Sequence, residues 1–312
     1  MSEHTSDGLV RRSLDDAPIR VVSVRPGLIT RLKNLVNRRE LLFNLILSDI
    51  KIKYKSSSLG LLWSMISPAL SLCIYYLVFS VFLKNGIPNF VIYLFSGLIA
   101  WNRYQTSLNT ATGVIVDRAG LVKKVSFPRE ILALANVGAA VVYFAIQVVV
   151  LALFLLIAGH APDWGFLWLM PISFIAHYLF TASMAMLMSA VTVYLRDVKH
   201  LIEVILQLWF YMTPIVYSYE NTLAPALHRH GMELIYFLNP LTLIVLTFQR
   251  IFYSDVVVHS ISAPHSLIQV LPTWSMGTFF ELNIALVGVM VIFFLIAEVL
   301  FGRLETNFES EL

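Results

Sequence analysis

Apolar residues along the 312-residue chain gather into long runs separated by short polar or basic stretches. The runs fall at about 59–83, 90–114, 131–158, 166–193, 201–217 and 283–301. A helix rises about 1.5 Å per residue and the hydrocarbon core of a bilayer is about 30 Å thick, so a crossing helix needs about 20 such residues. The pattern predicts an all-α membrane protein with six transmembrane helices in a domain spanning 59–301.

The segment before the first run reads differently. Over Asn37 to Lys55, Glu40, Asn44, Ser48, Lys51 and Lys55 fall on one narrow helical stripe, and Leu41, Leu42, Phe43, Leu45, Ile46, Leu47 and Ile50 cover most of the rest. That pattern predicts an amphipathic interface helix over 37–58, with Lys51, Lys53 and Lys55 turned to water and lipid headgroups. Asp49 and Lys53 interrupt its apolar side and stand four apart, within pairing reach. Residues 1–36 read as a cytoplasmic N-terminal extension without the apolar core of a signal peptide, and 302–312 as a cytoplasmic tail.

Between the fifth and sixth runs, residues 218–278 are mixed in character. Their best apolar piece begins directly after Asn239-Pro240 and is too short to cross, so this gate region is expected to hold re-entrant or interfacial helices. Gly86 and Pro88 mark the turn between the first two runs, and Pro214 is placed to distort the end of the fifth.

Composition supports lipid as the solvent. Hydrophobic residues make up 58% of the chain and charged ones 13%, far from the roughly 25% charged of soluble domains. The net charge of +3 is small, but eighteen of the 22 Lys and Arg lie before residue 59, in 117–130, in 196–200 or after 301. The positive-inside rule therefore places both termini in the cytoplasm of a multi-pass protein. No basic patch suggests nucleic acid.

Chemistry-bearing residues are sparse. No Gly-x-x-x-x-Gly-Lys-Ser/Thr loop is present, so ATP binding by that route is excluded. The single Cys73 allows no intrachain disulfide, and His228, His230 and Glu233, the nearest approach to a metal-ligand cluster, read better as a solvated loop. Arg103 falls inside the second run, either as a cation facing a pore or as a structural partner. Aromatic residues such as Trp63, Trp101, Tyr104, Trp209, Phe210 and Tyr211 serve either as membrane-interface anchors or as stacking surfaces for sugar rings. The basic segment Gly120 to Glu130 reads as a topogenic loop or as a docking knob for another protein.

Several stretches in order, Lys51 to Trp63 through Pro68, Ser96 to Trp101, Gly120 to Leu132, Tyr194 to Ile215 and Asn239-Pro240-Leu241, resemble the permease subunits of bacterial ABC exporters for O-antigen, capsular polysaccharide and teichoic acid. Ala100 and Asn102-Arg103-Tyr104 depart from the usual pattern of that family. The resemblance implies a homodimer in the bacterial inner membrane, two copies of a separate ATPase that carries ATP and Mg, and no catalytic site or cofactor on this chain. It further implies coupling to the ATPase through Gly120, Lys123, Lys124, Phe127, Pro128 and Arg129, and through Arg196, Asp197, Lys199 and His200. The expected substrate is an undecaprenyl-linked glycan of the O-antigen kind, with capsule, teichoic acid or small-lipid and drug export as alternatives. Trp63, Trp101, Arg103, Tyr104, Trp209, Phe210 and Tyr211 are the candidate channel lining. A membrane transferase would need convergent acid, base or metal-binding groups, and an ion-coupled transporter paired carboxylates near mid-bilayer; the sequence offers neither.

Overall fold

Helix boundaries are set by identifiable starts and stops. The computed structural model describes residues 27–54, 62–82, 87–125, 127–231, 236–260 and 267–312. Helix α1 (Leu28–Asn37) breaks at Arg38 and is followed by α2 (Arg39–Tyr54). Helix α3 (Leu62–Tyr76) runs on into a wider π-helical stretch, Leu77–Phe82. Then come α4 (Phe90–Thr112), the short α5 (Val114–Asp117) and α6 (Ala119–Lys124), and the long α7 (Glu130–Ala158) and α8 (Leu169–Tyr194). Helix α7 stops at Gly159, whose φ of 66° is the left-handed conformation that glycine adopts without a Cβ penalty.

Helix α9 (Val198–Met212) stops five residues before the expected end of the fifth run. Proline restricts the residue before it to extended backbone, and Thr213, at φ −107° and ψ 138°, precedes Pro214. The freed carbonyl of Pro214 accepts a hydrogen bond from Gln249 Nε2 at 3.0 Å, and Tyr93 Oη donates to the Tyr217 carbonyl at 2.7 Å. The helix end is therefore fixed despite the break.

Beyond it lie a π-helical turn (Tyr219–Leu223), α10 (Ala224–His230) and α11 (Pro240–Phe252). Helix α11 has a strong start: Pro240 takes the first helical position and Asn239 Oδ1 accepts from the Leu241 amide at 3.1 Å. Strands β1 (Val257–His259) and β2 (Leu267–Gln269) pair antiparallel, an exception to the all-helical expectation; three-residue strands are too short for an alternation to be legible. Ser275 caps α12 (Met276–Leu304) by accepting from the Thr278 amide, and a 3-10 turn (Glu305–Asn307) and α13 (Phe308–Glu311) follow.

Among the described residues, three helices are long and apolar enough to cross a membrane: α7, α8, and α12 with its extension to Asn307. Helix α4 has the length but carries Asn102, Arg103 and Gln105. It is the central element, packed by α7, α8 and α11 with α9 alongside, and its residues from Phe90 to Trp101 are almost all buried. Helix α12 lies along α8, and α2 lies against α7. A Cβ at Gly138 would sit 2.5 Å from Ile46 Cδ1, so glycine there admits the α2–α7 approach.

Candidate functional site: a polar and aromatic cleft above a charged end

Helices α3, α4 and α9 enclose a cleft of about 450 Å³, within the range of about 300–1,000 Å³ typical of ligand sites. Its wall is formed by Ser71 and Tyr75 from α3, by Leu98, Trp101, Asn102 and Gln105 from α4, and by Glu203, Gln207, Phe210 and Tyr211 from α9. The spacings 98-101-102-105 and 203-207-210-211 are those of one helical face each, which is why α4 and α9 can present all eight side chains to one space. Amides and the hydroxyls of Ser71, Tyr75 and Tyr211 supply donors and acceptors, and the indole and phenyl rings supply flat apolar faces. Trp101 and Phe210 pack edge to face at 5.5 Å between centroids, as do Phe210 and Tyr211 at 5.2 Å, which holds the rings in place.

Three of the expected lining residues are on this wall: Trp101, Phe210 and Tyr211. Trp63 is half exposed and is not among the wall residues. Trp209 is half-buried and donates from Nε1 to Asn239 Oδ1 at 3.0 Å. Arg103 and Tyr104 are buried inside the protein, 2% and 0% exposed, so the cleft does not use them. Arg103 Nε meets His177 Nδ1 at 3.2 Å, and its guanidinium lies 4.8 Å from the centroid of the Phe174 ring, a cation–π contact in apolar surroundings. That is the structural partnership for Arg103; its partner, 74 positions away, could not be named from sequence.

One end of the bundle gathers the charges. Arg31, buried in α1, lies 3.1 Å from Glu130, 3.6 Å from Glu298 and 3.1 Å from Glu305. Burial works against its charge, but the carboxylates of Glu130, Glu305 and Glu298 together hold its guanidinium above the ordinary arginine range. Gly302 leaves the space this side chain occupies, since a Cβ there would collide with Arg31 Nη1. Part of the segment read as an extension, residues 28–36, is thus helical and docked; ion pairs to positions 99 to 274 residues away leave no local pattern. Residues 1–26 lie outside the described residues.

The basic segments meet at the same end. Lys199 Nζ lies 3.6 Å from Asp117 Oδ2, which joins the two stretches expected to couple to a partner. Asp49 forms an ion pair with Arg118; the Lys53 side chain expected to pair with it lies outside the described residues. Gly120, Lys123, Lys124, Arg196, Asp197, Lys199 and His200 are exposed, Phe127 and Pro128 are half-buried, and Val122 is the buried anchor of α6. Arg129 donates from Nη1 to the Glu305 carbonyl at 3.1 Å, so it is engaged within the chain. Lys51 is exposed on α2; the side chain of Lys53, the whole of Lys55, and Glu233 lie outside the described residues. Among the described residues no group of His, Cys, Asp and Glu is arranged to hold a metal ion.

Sequence reasoning missed the polar wall. Asn102, Gln105, Glu203 and Gln207 carry it, and the signal was available as two helical stripes mixing amides with aromatics, obscured because each sits within an otherwise apolar run.

A helical membrane domain with a polar, aromatic cleft and one charge-rich end belongs with the transport proteins, and the match of the ABC-2 type transporter family to residues 40–253 makes the chain a member of that family. It is 30% identical over 226 residues to the O-antigen export system permease protein RfbA of Myxococcus xanthus, covering 72% of this chain and 85% of that protein. Two Klebsiella pneumoniae proteins of the same name are 32% identical over 170 residues (54% of this chain, 66% of the relative) and 31% identical over 208 residues (67% and 78%).

Proposed function

We propose that this chain is the permease subunit of an ATP-driven exporter that moves a lipid-linked polysaccharide of the O-antigen kind across the bacterial inner membrane. The observation that carries the proposal is the cleft: amide groups and ring faces line it on α4 and α9, and α9 starts within the basic Arg196–Lys199 stretch. Sugars present hydroxyls to hydrogen-bond and apolar ring faces to stack, and such a wall offers both.

In this proposal α3, α4, α7, α8, α9 and α12 are the six spans, with both termini cytoplasmic. The 13-residue α11, about 20 Å long, and α10 are gate helices on the outer side. Two copies assemble as a homodimer across the side where α3 and α9 leave Leu70, Ile74, Leu208 and Met212 exposed, closing the cleft into a channel. Trp101, Phe210 and Tyr211 line it. Lys51 and Lys53 on α2, with Lys55 next in sequence after it, meet the lipid diphosphate at the membrane surface.

A separate ATPase, in two copies, binds ATP and Mg and breaks the phosphate bond; the chain itself binds, gates and transmits. Nucleotide can drive it only through contacts that differ between the two states of the ATPase. The coupling surface is the exposed set Gly120, Lys123, Lys124, Arg196, Asp197, Lys199 and His200, with Phe127, Pro128 and Arg129 behind it.

Depletion of the chain, followed by locating lipid-linked glycan across the inner membrane, tests the function. Accumulation on the cytoplasmic face is expected, and unchanged delivery to the outer face would contradict it. Restoring W101A or Y211A in place of the native chain is expected to lower export about tenfold, on the order of one lost ring-stacking contact. Replacing the exposed Lys123 and Lys124 together by Ala is expected to weaken stimulation of the ATPase while the protein still inserts; unaltered stimulation would remove them from the coupling surface.

A further inference from the structure

Arg103 is a buried cation in the central helix α4, and the ion pairs of the described carboxylates go to Arg31, Arg118, Arg129, Lys199 and Arg250 instead. Its Nε donates to His177 Nδ1 at 3.2 Å. Arginine always carries a proton on Nε, so Nδ1 accepts, the imidazole is neutral, and the ring proton sits on Nε2. What remains is a set of donors. Nη1 and Nη2 of Arg103 and Nε2 of His177 are buried with no hydrogen-bond partner among the described residues. Ser173 Oγ is buried and without a partner too, and it stands one turn before His177 on the same face of α8.

The groups nearby do not meet this need. The hydroxyls of Ser107 and Thr181, one turn further along their helices, donate to the carbonyls of Arg103 and His177. The rings of Phe174, Phe144 and Tyr178 have their centroids 4.8, 5.9 and 5.9 Å from the guanidinium carbon. Ring faces attract the charge but are weak acceptors of N–H bonds. A buried charge is tolerated when it is both paired and hydrogen-bonded, and ionisable groups within a membrane turn to a partner for the same reason. Water supplies acceptors and leaves the charge uncompensated; an anion supplies both. Apolar rings beside the donors suit a small spherical anion better than a phosphate with four oxygens to satisfy.

We propose that Arg103, His177 and Ser173 bind chloride between α4 and α8. The ion neutralises the guanidinium and ties the central helix to one of the long spans. The lipid diphosphate is not the occupant, since Arg103 is closed off from the cleft that its neighbours Asn102 and Gln105 line. The site belongs to the helical frame and is independent of what the chain exports.

The test uses the full-length chain purified in detergent. Its thermal unfolding is followed as potassium gluconate is replaced by potassium chloride at constant ionic strength, which keeps the screening of surface charges fixed. A ligand that binds only the folded form raises the unfolding temperature as its concentration passes Kd. The native chain is expected to gain about 3 °C or more by about 100 mM chloride, and bromide to act in place of chloride. R103M is expected to keep less than about a third of that gain. S173A, which removes one donor and keeps the cation, is expected to need about tenfold more chloride for the same gain. Should R103M fail to fold, the native titration and S173A decide. An unfolding temperature of the native chain that is equal in gluconate, chloride and bromide would overturn the site and give these donors to water. A chloride gain that R103M and S173A both retain in full would overturn it as well, by placing the halide elsewhere. Neither result bears on export, which is measured separately.

Discussion

Replacing Arg31 by Met removes one cation from among Glu130, Glu298 and Glu305 and leaves buried carboxylates facing one another. Stripping one partner from a buried ion-paired group costs about 3–5 kcal/mol, because the charge left behind is neither solvated nor paired. R31M is therefore expected to lower the stability of the purified chain by roughly 3 kcal/mol, measured as thermal unfolding in detergent, with E298Q in the same chain recovering part of the loss. An unshifted transition would show that the cluster carries no net energy. Arg103 presents a different balance: its guanidinium nitrogens are planar and lie over Phe174, a geometry that a lysine ammonium does not reproduce. R103K should therefore destabilise the region between α4 and α8 despite keeping the charge, measured as a lowered unfolding temperature; an unchanged one would mean that charge alone suffices there. The location of Arg103 within an apolar run was readable from sequence, whereas its partner His177 was not, since pairing across α4 and α8 depends on how two helices pack.

At the scale of elements, runs of apolar residues gave positions for the long helices because burial in lipid leaves a continuous signature about 20 residues long. Helix α8, expected over 166–193, lies at Leu169–Tyr194, and the last run, expected over 283–301, extends to Met276–Leu304 because Ser275 caps it earlier. The same signature fails for elements defined by tertiary contact. Helix α1 is held by Arg31, and the β1–β2 ribbon by three residues on each side, and neither makes a period. The interruption after Met212 was visible in Pro214, but what fixes the broken end was not: Gln249 from α11 and Tyr93 from α4 reach the freed carbonyls. Leaving a buried carbonyl without its donor costs about 1–3 kcal/mol. Q249A is therefore expected to loosen the end of α9, seen as faster amide exchange over residues 211–217, and equal exchange would mean that Tyr93 is sufficient.

For the whole molecule, charge and apolarity divide the chain into a packed helical domain and one charged end. The connections at that end are tied together by Lys199 with Asp117, Arg118 with Asp49, and Arg31 with three carboxylates, so the start of α9, the end of α5 and helix α2 are joined there. The cleft lies among α3, α4 and α9, and α9 belongs to both parts. The basic segments 117–130 and 196–200 were legible as connections because charges stand out in an apolar sequence. The cleft's polar wall was not, since Asn102, Gln105 and Gln207 acquire a common meaning only when α4 and α9 face each other. Charge at one end becomes a motor's handle only if that end faces the compartment where ATP is present. A C73S background carrying K123C, treated in intact cells with a membrane-impermeant maleimide and again after permeabilisation, measures this directly. Labelling only after permeabilisation is the predicted result, and labelling in intact cells would contradict the account.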